Sequence, residues 1–350
     1  MKKSTPPAAD AAHDVAVVGI DLAKNVFAVH GINAAGKPCL VRPNVRRDQL
    51  LEMLAQLPPC VIGMEACSGA HHWARMLIQF GHTPKLMAPK FVAPYRMQGV
   101  RGKNDANDAA AICEAVTRPN MRFVPVKSVD AQVTLTLHRV RSGFVSERTA
   151  TINRLRGFMS EFGVVLPLKA STVRRQARAA SEALPTWMQR VVADLLAHIA
   201  TLDERIDEYE EQIKHIAVTD TASKQLMKLE GIGPVTASAL VASVGNGHDF
   251  NNGRQLAAWL GLVPGMHGSG GKTRLGRITK AGDHYLRSLL VMGARSLLSL
   301  AHNKFDRLSR WAMALQERIG YGKAVVAIAA KNARLAWAML AKGEQFKPLT

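Results

Sequence analysis

The sequence predicts an α/β plus α organisation: an α/β N-terminal part, a long-helix middle and a mainly helical C-terminal part. Three observations predict it. Short apolar runs broken by glycine and polar residues fill the chain up to about residue 127. From 188 to 216 the apolar positions alternate in steps of four and three. Beyond 221, helix-like segments are punctuated by two glycine-bearing stretches. A chain of 350 residues can build two or three cores, since domains usually run to ~100–200 residues. The expected division is a disordered tail over 1–14, an α/β domain over 15–127, a helical region over 128–220 and a last domain over 221–350.

The first strand candidates are "VAVVGI" (15–20), "VFAVHG" (26–31) and "PCLVRP" (38–43), separated by polar or glycine breaks as in a meander. A helix is expected around 47–56. "CVIGME" (60–65) reads as a fourth strand, "HHWARMLIQFG" (71–81) as a helix and "KLMA" (85–88) as a fifth strand. "NDANDAAAICEAV" (104–116) is alanine-rich and opens on polar residues suited to a helix start. In the middle part, Met188, Val192, Leu195, Ile199, Leu202 and Ile206 begin a heptad seam that continues to Ile216. Charged residues fill the outer positions; a long amphipathic helix lying on its own domain would satisfy the pattern too, and the strict 3.5-residue period favours a coiled coil. Its partner is either the 128–165 segment of the same chain or another subunit.

Charge is distributed unevenly. The chain has 46 Lys+Arg against 27 Asp+Glu, a net charge of +19. Residues 1–127 carry +7, residues 128–220 carry none, and residues 221–350 carry +12. An excess of this size suits a polyanion, because each neutralised phosphate releases condensed counterions. No uninterrupted apolar span reaches the ~18–20 residues of a transmembrane helix, so no membrane is expected. The opening "MKKSTPPAADAA" lacks the apolar centre of a signal peptide. Cys39, Cys60, Cys67 and Cys113 form no metal-binding spacing and are expected as buried thiols of a cytoplasmic protein. His71 and His72 are expected to be structural or exposed.

Carboxylates stand where strands end or helices begin. Asp21 follows the first strand, Glu65 ends the fourth, and Asp105 and Asp108 share one face of a helix at i, i+3. Close carboxylates are costly unless a cation lies between them. Oxygen donors from several elements, without Cys or His, suit Mg²⁺ or Mn²⁺. Two such ions activate a nucleophile and stabilise the leaving oxygen in phosphodiester chemistry. A strand-end Asp, a strand-end Glu and a later Asp-x-x-Asp follow the order of an RNase H-like fold. Two findings would remove this reading: Asp21 turned away from the other three, or Glu65 committed to an arginine. "GIDLAKN" also matches the first phosphate loop of actin-like sugar kinases, but no P-loop or second glycine-rich phosphate loop accompanies it.

The last part carries a basic, serine-bearing constellation. "LEGIGPVTASALVASVG" (229–245) opens on Gly231-Ile232-Gly233 and leads into a helix. The glycines would let backbone N–H groups approach a phosphate, as in a helix-hairpin-helix. In "LVPGMHGSGGKTRLGRITKAGDHYLRSLLVMGAR" (262–295), Ser269 lies in a glycine-rich loop between helices. Lys272, Arg274, Arg277, Lys280 and Arg287 follow it as expected contacts for DNA or RNA phosphates. Serine is a weak nucleophile at its own pKa. The loop offers no obvious base, so activation is expected from the acidic cluster.

Together, "GIDLAKNVFAVHG", "GMEACSGAHHWAR", "KNDANDAAAICEA", "GIGPVTASAL", "GRQLAAWLGLVP" and "GSGGKTRLGRITKAGDHYLRSLLV" resemble the DEDD transposases of bacterial insertion sequences (family 110, its 1111 branch), from about residue 15 to about 340. The resemblance implies a RuvC-like, RNase H-like mixed-sheet domain, a coiled-coil region and a mainly helical transposase domain. It implies that Asp21, Glu65, Asp105 and Asp108 form a Mg²⁺-binding tetrad and that Ser269 is a nucleophile that joins covalently to DNA. Where the family has Ser-Ser-Gly, this chain has Gly268-Ser269-Gly270, which leaves Ser269 as the candidate. It further implies a tetramer working on the DNA of element ends and targets, guided by a bridge RNA from the element, in the cytoplasm of a bacterium. The alternatives are a junction-resolving or RNase H-like nuclease that makes no serine adduct, and a non-catalytic nucleic-acid-binding regulator.

Overall fold

The computed structural model describes residues 14–96, 105–269 and 272–345, with the side chains of Ser269 and Thr273 excepted. The tail over 1–13, Asn104 and the glycines Gly270 and Gly271 lie outside the described residues. The chain forms two compact units, Met1–Ser128 and Val129–Thr350.

The first unit is built on β1 (Val17–Asp21), β2 (Val26–Ile32), β3 (Pro38–Arg46), β4 (Val61–Glu65), β5 (Thr83–Met87) and β6 (Phe123–Val124), with α1 (Leu50–Ala55), α2 (Ala70–Gln79), α3 (Pro89–Val92) and α4 (Asp105–Val116) between them. The strand order is β3-β2-β1-β4-β5-β6. The first three strands are antiparallel, β1, β4 and β5 run parallel, and β6 is antiparallel to β5. This mixed sheet is consistent with the RNase H-like arrangement. All five strand candidates and the three helical segments expected in this part are found, and β6 and α3 are additional.

Successive strand residues face opposite sides, and here that alternation decides where the acids point. Val18 and Ile20 of β1 and Ile62 and Met64 of β4 are buried in a core with Leu50, Leu54, Trp73 and Leu77 from α1 and α2. Asp21 and Glu65 therefore belong to the other face. There Met87 and Val92 pack with Ala111, Ile112, Ala115 and Val116 of α4.

Gly19 and Gly63 are register partners at the centre of that second face. A Cβ on Gly19 would fall 2.3 Å from the Ala109 carbonyl oxygen, and one on Gly63 would fall 2.9 Å from Val116 Cβ. Two adjacent glycines thus let α4 lie directly on the sheet.

The second unit begins with α5 (Val129–Glu161), α6 (Ala170–Ser181) and α7 (Thr186–Thr219), followed by α8 (Thr221–Leu226), α9 (Pro234–Val244) and α10 (Gly253–Trp259). A hairpin of β7 (Pro264–Ser269) and β8 (Lys272–Ile278) then precedes α11 (His284–Ala301), α12 (Arg307–Ile319) and α13 (Tyr321–Lys342). The ion pairs Arg141–Glu210, Arg148–Asp203 and Glu147–His198 run oppositely along α5 and α7, so these helices are antiparallel. The heptad seam of α7 is covered within the chain. Val192 and Ile199 pack with Ile152, Leu155 and Met159 of α5, and α9 also lies against α7.

Helices α8 to α13 share one core. By length and composition α13 could cross a membrane, but its Ala324, Val325, Ile328, Ala329 and Ala333 are buried in that core. Among the cysteines, Cys60 and Cys113 are buried and Cys39 is half-buried. Cys67 is exposed, a correction to the expectation of four buried thiols; it follows β4 in the turn before α2.

Candidate metal centre and basic hairpin

Asp21 and Glu65 close adjacent parallel strands, and Asp105 and Asp108 form the first turn of the helix that crosses them. Carboxylate oxygens of Asp21, Asp105 and Asp108 all lie within 4.8 Å of one another. Burial pushes the Asp21 carboxyl up to about 6, reinforced by the negative charges of Asp108, Asp105 and Glu65 and opposed by Arg96. Burial likewise raises Glu65, with Arg96 lowering it and Asp108 raising it.

Glu65 stands apart from the close trio. Its Oε1 accepts a hydrogen bond of 2.7 Å from Arg96 Nη2. This is the engagement with an arginine that would have counted against the site. The same guanidinium, however, sits 3.0 Å from Asp108 Oδ1 through Nε. Arg96 thus bridges Glu65 to Asp108, and Glu65 is held by the arginine outside the close trio. Among the described residues one guanidinium, that of Arg96, is paired with two of these carboxylates, and the rise of Asp21 comes first from burial and then from its acidic neighbours. An all-oxygen donor set with this excess of negative charge fits a hard divalent cation.

Neither Arg96, which follows the short turn Ala93–Tyr95, nor the glycine pair Gly19 and Gly63 was read from the sequence as part of the site. The glycines could have been noticed, because each is two residues before a candidate ligand and so shares its face. Arg96 carried no comparable signal.

In the second unit, the supposed glycine-rich loop is a two-stranded ribbon. Its register pairs Ser269 with Lys272, His267 with Arg274 and Met266 with Leu275. Ser269 is the last residue of β7, with two residues between it and the start of β8. A Gly-Gly pair between two runs is itself a hairpin signal, masked here by the glycines within the strands. The segment also contains a titratable group that the sequence reading passed over, the exposed His267. Lys272, Arg274, Arg277 and Lys280 are exposed.

Arg287 is a correction. It is buried, and its Nη1 donates to the carbonyls of Leu260 (3.0 Å) and Ala281 (2.9 Å), so it ties loops together and is not presented to a phosphate. Gly231 is a second correction. Its φ is +83°, and a Cβ there would fall 2.7 Å from the Gly293 carbonyl oxygen, so its missing side chain serves packing on α11. Gly233, which precedes α9, faces open space.

Comparison with known proteins places these features in one group. A family profile described as "Transposase IS116/IS110/IS902 family" matches residues 223–310, and a DEDD-type profile of the IS110 group, described as "Transposase", matches residues 18–163. The chain is 44% identical to a probable family 20 transposase of Pseudomonas aeruginosa, over 95% of this chain and 98% of that protein. It is 40% identical to the transposase for insertion sequence element IS1111A of Coxiella burnetii, over 95% and 92% of the two chains. It is 38% identical to the transposase for insertion sequence element IS1328 of Yersinia enterocolitica, over 95% and 99%.

Proposed function

Since the chain belongs to the IS116/IS110/IS902 family of transposases, enzymes that cut and transfer DNA in insertion-sequence transposition, we propose that it does so with divalent cations held by its acidic cluster and with Ser269 as nucleophile. Asp21, Asp105 and Asp108 would hold the cations, and Glu65 would join them on release from Arg96. Bound there, Mg²⁺ or Mn²⁺ would polarise a scissile phosphodiester and stabilise the departing oxygen. The observation that carries this reading is the gathering of acids: three carboxylates within 4.8 Å and a fourth bridged to them by Arg96, the one cation paired with them among the described residues.

Ser269 Oγ forms a new ester bond to phosphorus while the bond from phosphorus to one deoxyribose oxygen breaks. The hydroxyl proton is lost to a base and the departing oxygen gains one, so the phosphodiester charge is unchanged. The phosphoserine link conserves the ester bond for rejoining to a second DNA end. The place of Ser269 at the tip of a cationic ribbon supports this role. An element-encoded bridge RNA as guide, and a tetramer as the working assembly, complete the proposal. The net charge of +12 beyond residue 220 supports a large nucleic-acid footprint.

The test is incubation with Mg²⁺ and end-labelled DNA of the element's terminus, followed by denaturing electrophoresis. A denaturant-resistant protein–DNA adduct, absent in Ser269→Ala and in Asp108→Asn, is the expected result. Cleavage with no adduct in the native protein would replace the serine mechanism by hydrolysis, and retention without cleavage would leave only a binding protein.

A further inference from the structure

The β7–β8 ribbon has two unlike faces. Met266 and Leu275 are directly opposed across the strands and are 71% and 68% exposed. Their neighbours His267 and Arg274 form the next cross-strand pair and so lie on the other face. An exposed apolar pair on an otherwise polar ribbon has no role in the core of this unit, where neither residue is counted.

Leu275 also borders a cleft of about 890 Å³ between the ribbon, α10 and α13. The floor of the cleft is aliphatic, with Leu262, Val326 and Ala330 among its residues. Its lining holds five cations, Arg254, Arg277, Lys280, Lys323 and Arg334, and no carboxylate. All five are exposed. An apolar floor inside an all-cationic rim suits a flat, weakly polar group carried on a phosphate chain. A second protein surface would need acidic side chains to match this rim, whereas a nucleotide brings both features in one residue. The volume is of the size that takes small ligands of roughly 300–1,000 Å³.

We infer that Met266 and Leu275 act as a wedge that unstacks a base step of the DNA, and that the cleft beside Leu275 receives the displaced nucleotide, base toward the aliphatic floor and phosphates on the cationic rim. Apolar side chains inserted between base steps unstack and kink a duplex at a cost of a few kcal/mol per step. Neighbouring phosphate contacts offset that cost. Met266 and the proposed nucleophile belong to the same strand, three residues apart. The inference rests on the chain acting on DNA and is independent of whether the serine forms an adduct.

The experiment uses the full chain and duplexes of the element's terminus carrying 2-aminopurine at one position at a time. Its fluorescence rises when stacking is lost. A several-fold rise at one position or two adjacent positions is expected. In Met266→Ser/Leu275→Ser the emission should fall back to the free-duplex level, while binding measured by anisotropy weakens by no more than about tenfold. Lys323→Gln/Arg334→Gln should lower the rise and flatten the salt dependence of binding together. The inference is overturned if no position brightens, if the wedge variant brightens like the native chain, or if that variant changes the oligomeric state in sedimentation, which would make the pair a contact between copies. An adduct without brightening sinks the wedge alone, and brightening without an adduct sinks the serine mechanism alone.

Discussion

Gly19 of β1 lies so close to Ala109 of α4 that a single methyl group at residue 19 would meet the Ala109 carbonyl oxygen at 2.3 Å. Asp21 is two residues along from one partner, and Asp105 is one helical turn before the other. The spacing of the acidic cluster is therefore set by this contact between backbones. Gly19→Ala is expected to push α4 off the sheet. Overpacking of this kind costs about 1–3 kcal/mol, read as a lower melting temperature. Mn²⁺ binding measured by calorimetry should weaken more than stability does, whereas Gly36→Ala, at a glycine with open space around it, should cost stability through its positive φ and leave Mn²⁺ binding unchanged.

In the proposed site a divalent cation would compete with Arg96 for Glu65 and Asp108. Arg96→Gln removes the positive charge that faces Glu65 and Asp108. Without metal the variant should be less stable by about 2 kcal/mol, between the values for exposed and buried pairs. With saturating Mn²⁺ much of that loss should be recovered, because the ion supplies the missing charge. Melting curves with and without Mn²⁺ give both numbers.

Asp21 makes cation binding pH-dependent. Its carboxyl titrates at about 6 in the fold against an ordinary value of 3.8. Its contribution to metal-free stability is therefore greatest below that ordinary value and is lost as pH rises through 6. A cation needs the ionised form, so Mn²⁺ affinity should fall by about fourfold between pH 7.5 and 5.5. In Asp21→Asn this pH dependence should disappear along with much of the affinity.

Arg287 and the ribbon cations should separate cleanly. Arg287→Ala leaves the Leu260 and Ala281 carbonyls short of a donor, which is expected to cost about 1–3 kcal/mol in stability and to leave the salt dependence of DNA binding unaltered. Lys272→Gln and Arg274→Gln should do the reverse. Each should reduce the slope of log affinity against log salt by about 1, with the melting temperature unchanged.

His138 is a buried histidine whose protonation would oppose the fold of the helical unit. Its ring nitrogens face Tyr285 Oη and Ser238 Oγ, each at 3.0 Å, and join α5 to α11 and α9. Burial, with the nearby Arg141 charge, pushes its pKa down to about 4 from an ordinary 6.5. As pH falls, the unfolded chain takes up this proton first. The stabilisation is complete above 6.5 and is lost between 6.5 and 4, by an amount on the order of 3 kcal/mol. His138→Gln should flatten the stability profile in that window.

The sheet and the acids were legible in the sequence because both follow short-range rules. Strand alternation fixes the face of an aspartate after "VVGI", Asp105 and Asp108 share a helix face by spacing alone, and it is the conjunction of these acids that pointed to a site. Arg96 was not legible, since its guanidinium reaches Glu65 only after β4, α3 and α4 have assembled. The ribbon was missed because glycines at 265, 268 and 276 dilute the alternation that marks strands. Arg287 looked like its basic neighbours in composition, and only its hydrogen bonds to the Leu260 and Ala281 carbonyls show its guanidinium turned inward. Gly231 was assigned to ligand approach when the pressing neighbour is another helix, a distinction that needs the third dimension.

The long helices carry a consequence for how copies of this protein can meet. Ile199, Leu202, Ile206 and Ile213, the oily stripe of α7, are sheltered by helices of their own chain. A foreign helix could reach that stripe only by prising the hairpin open. Any self-association through α7 would have to use side chains outside the stripe, so a variant that disturbs the stripe reports on folding and is a poor instrument for dissecting assembly.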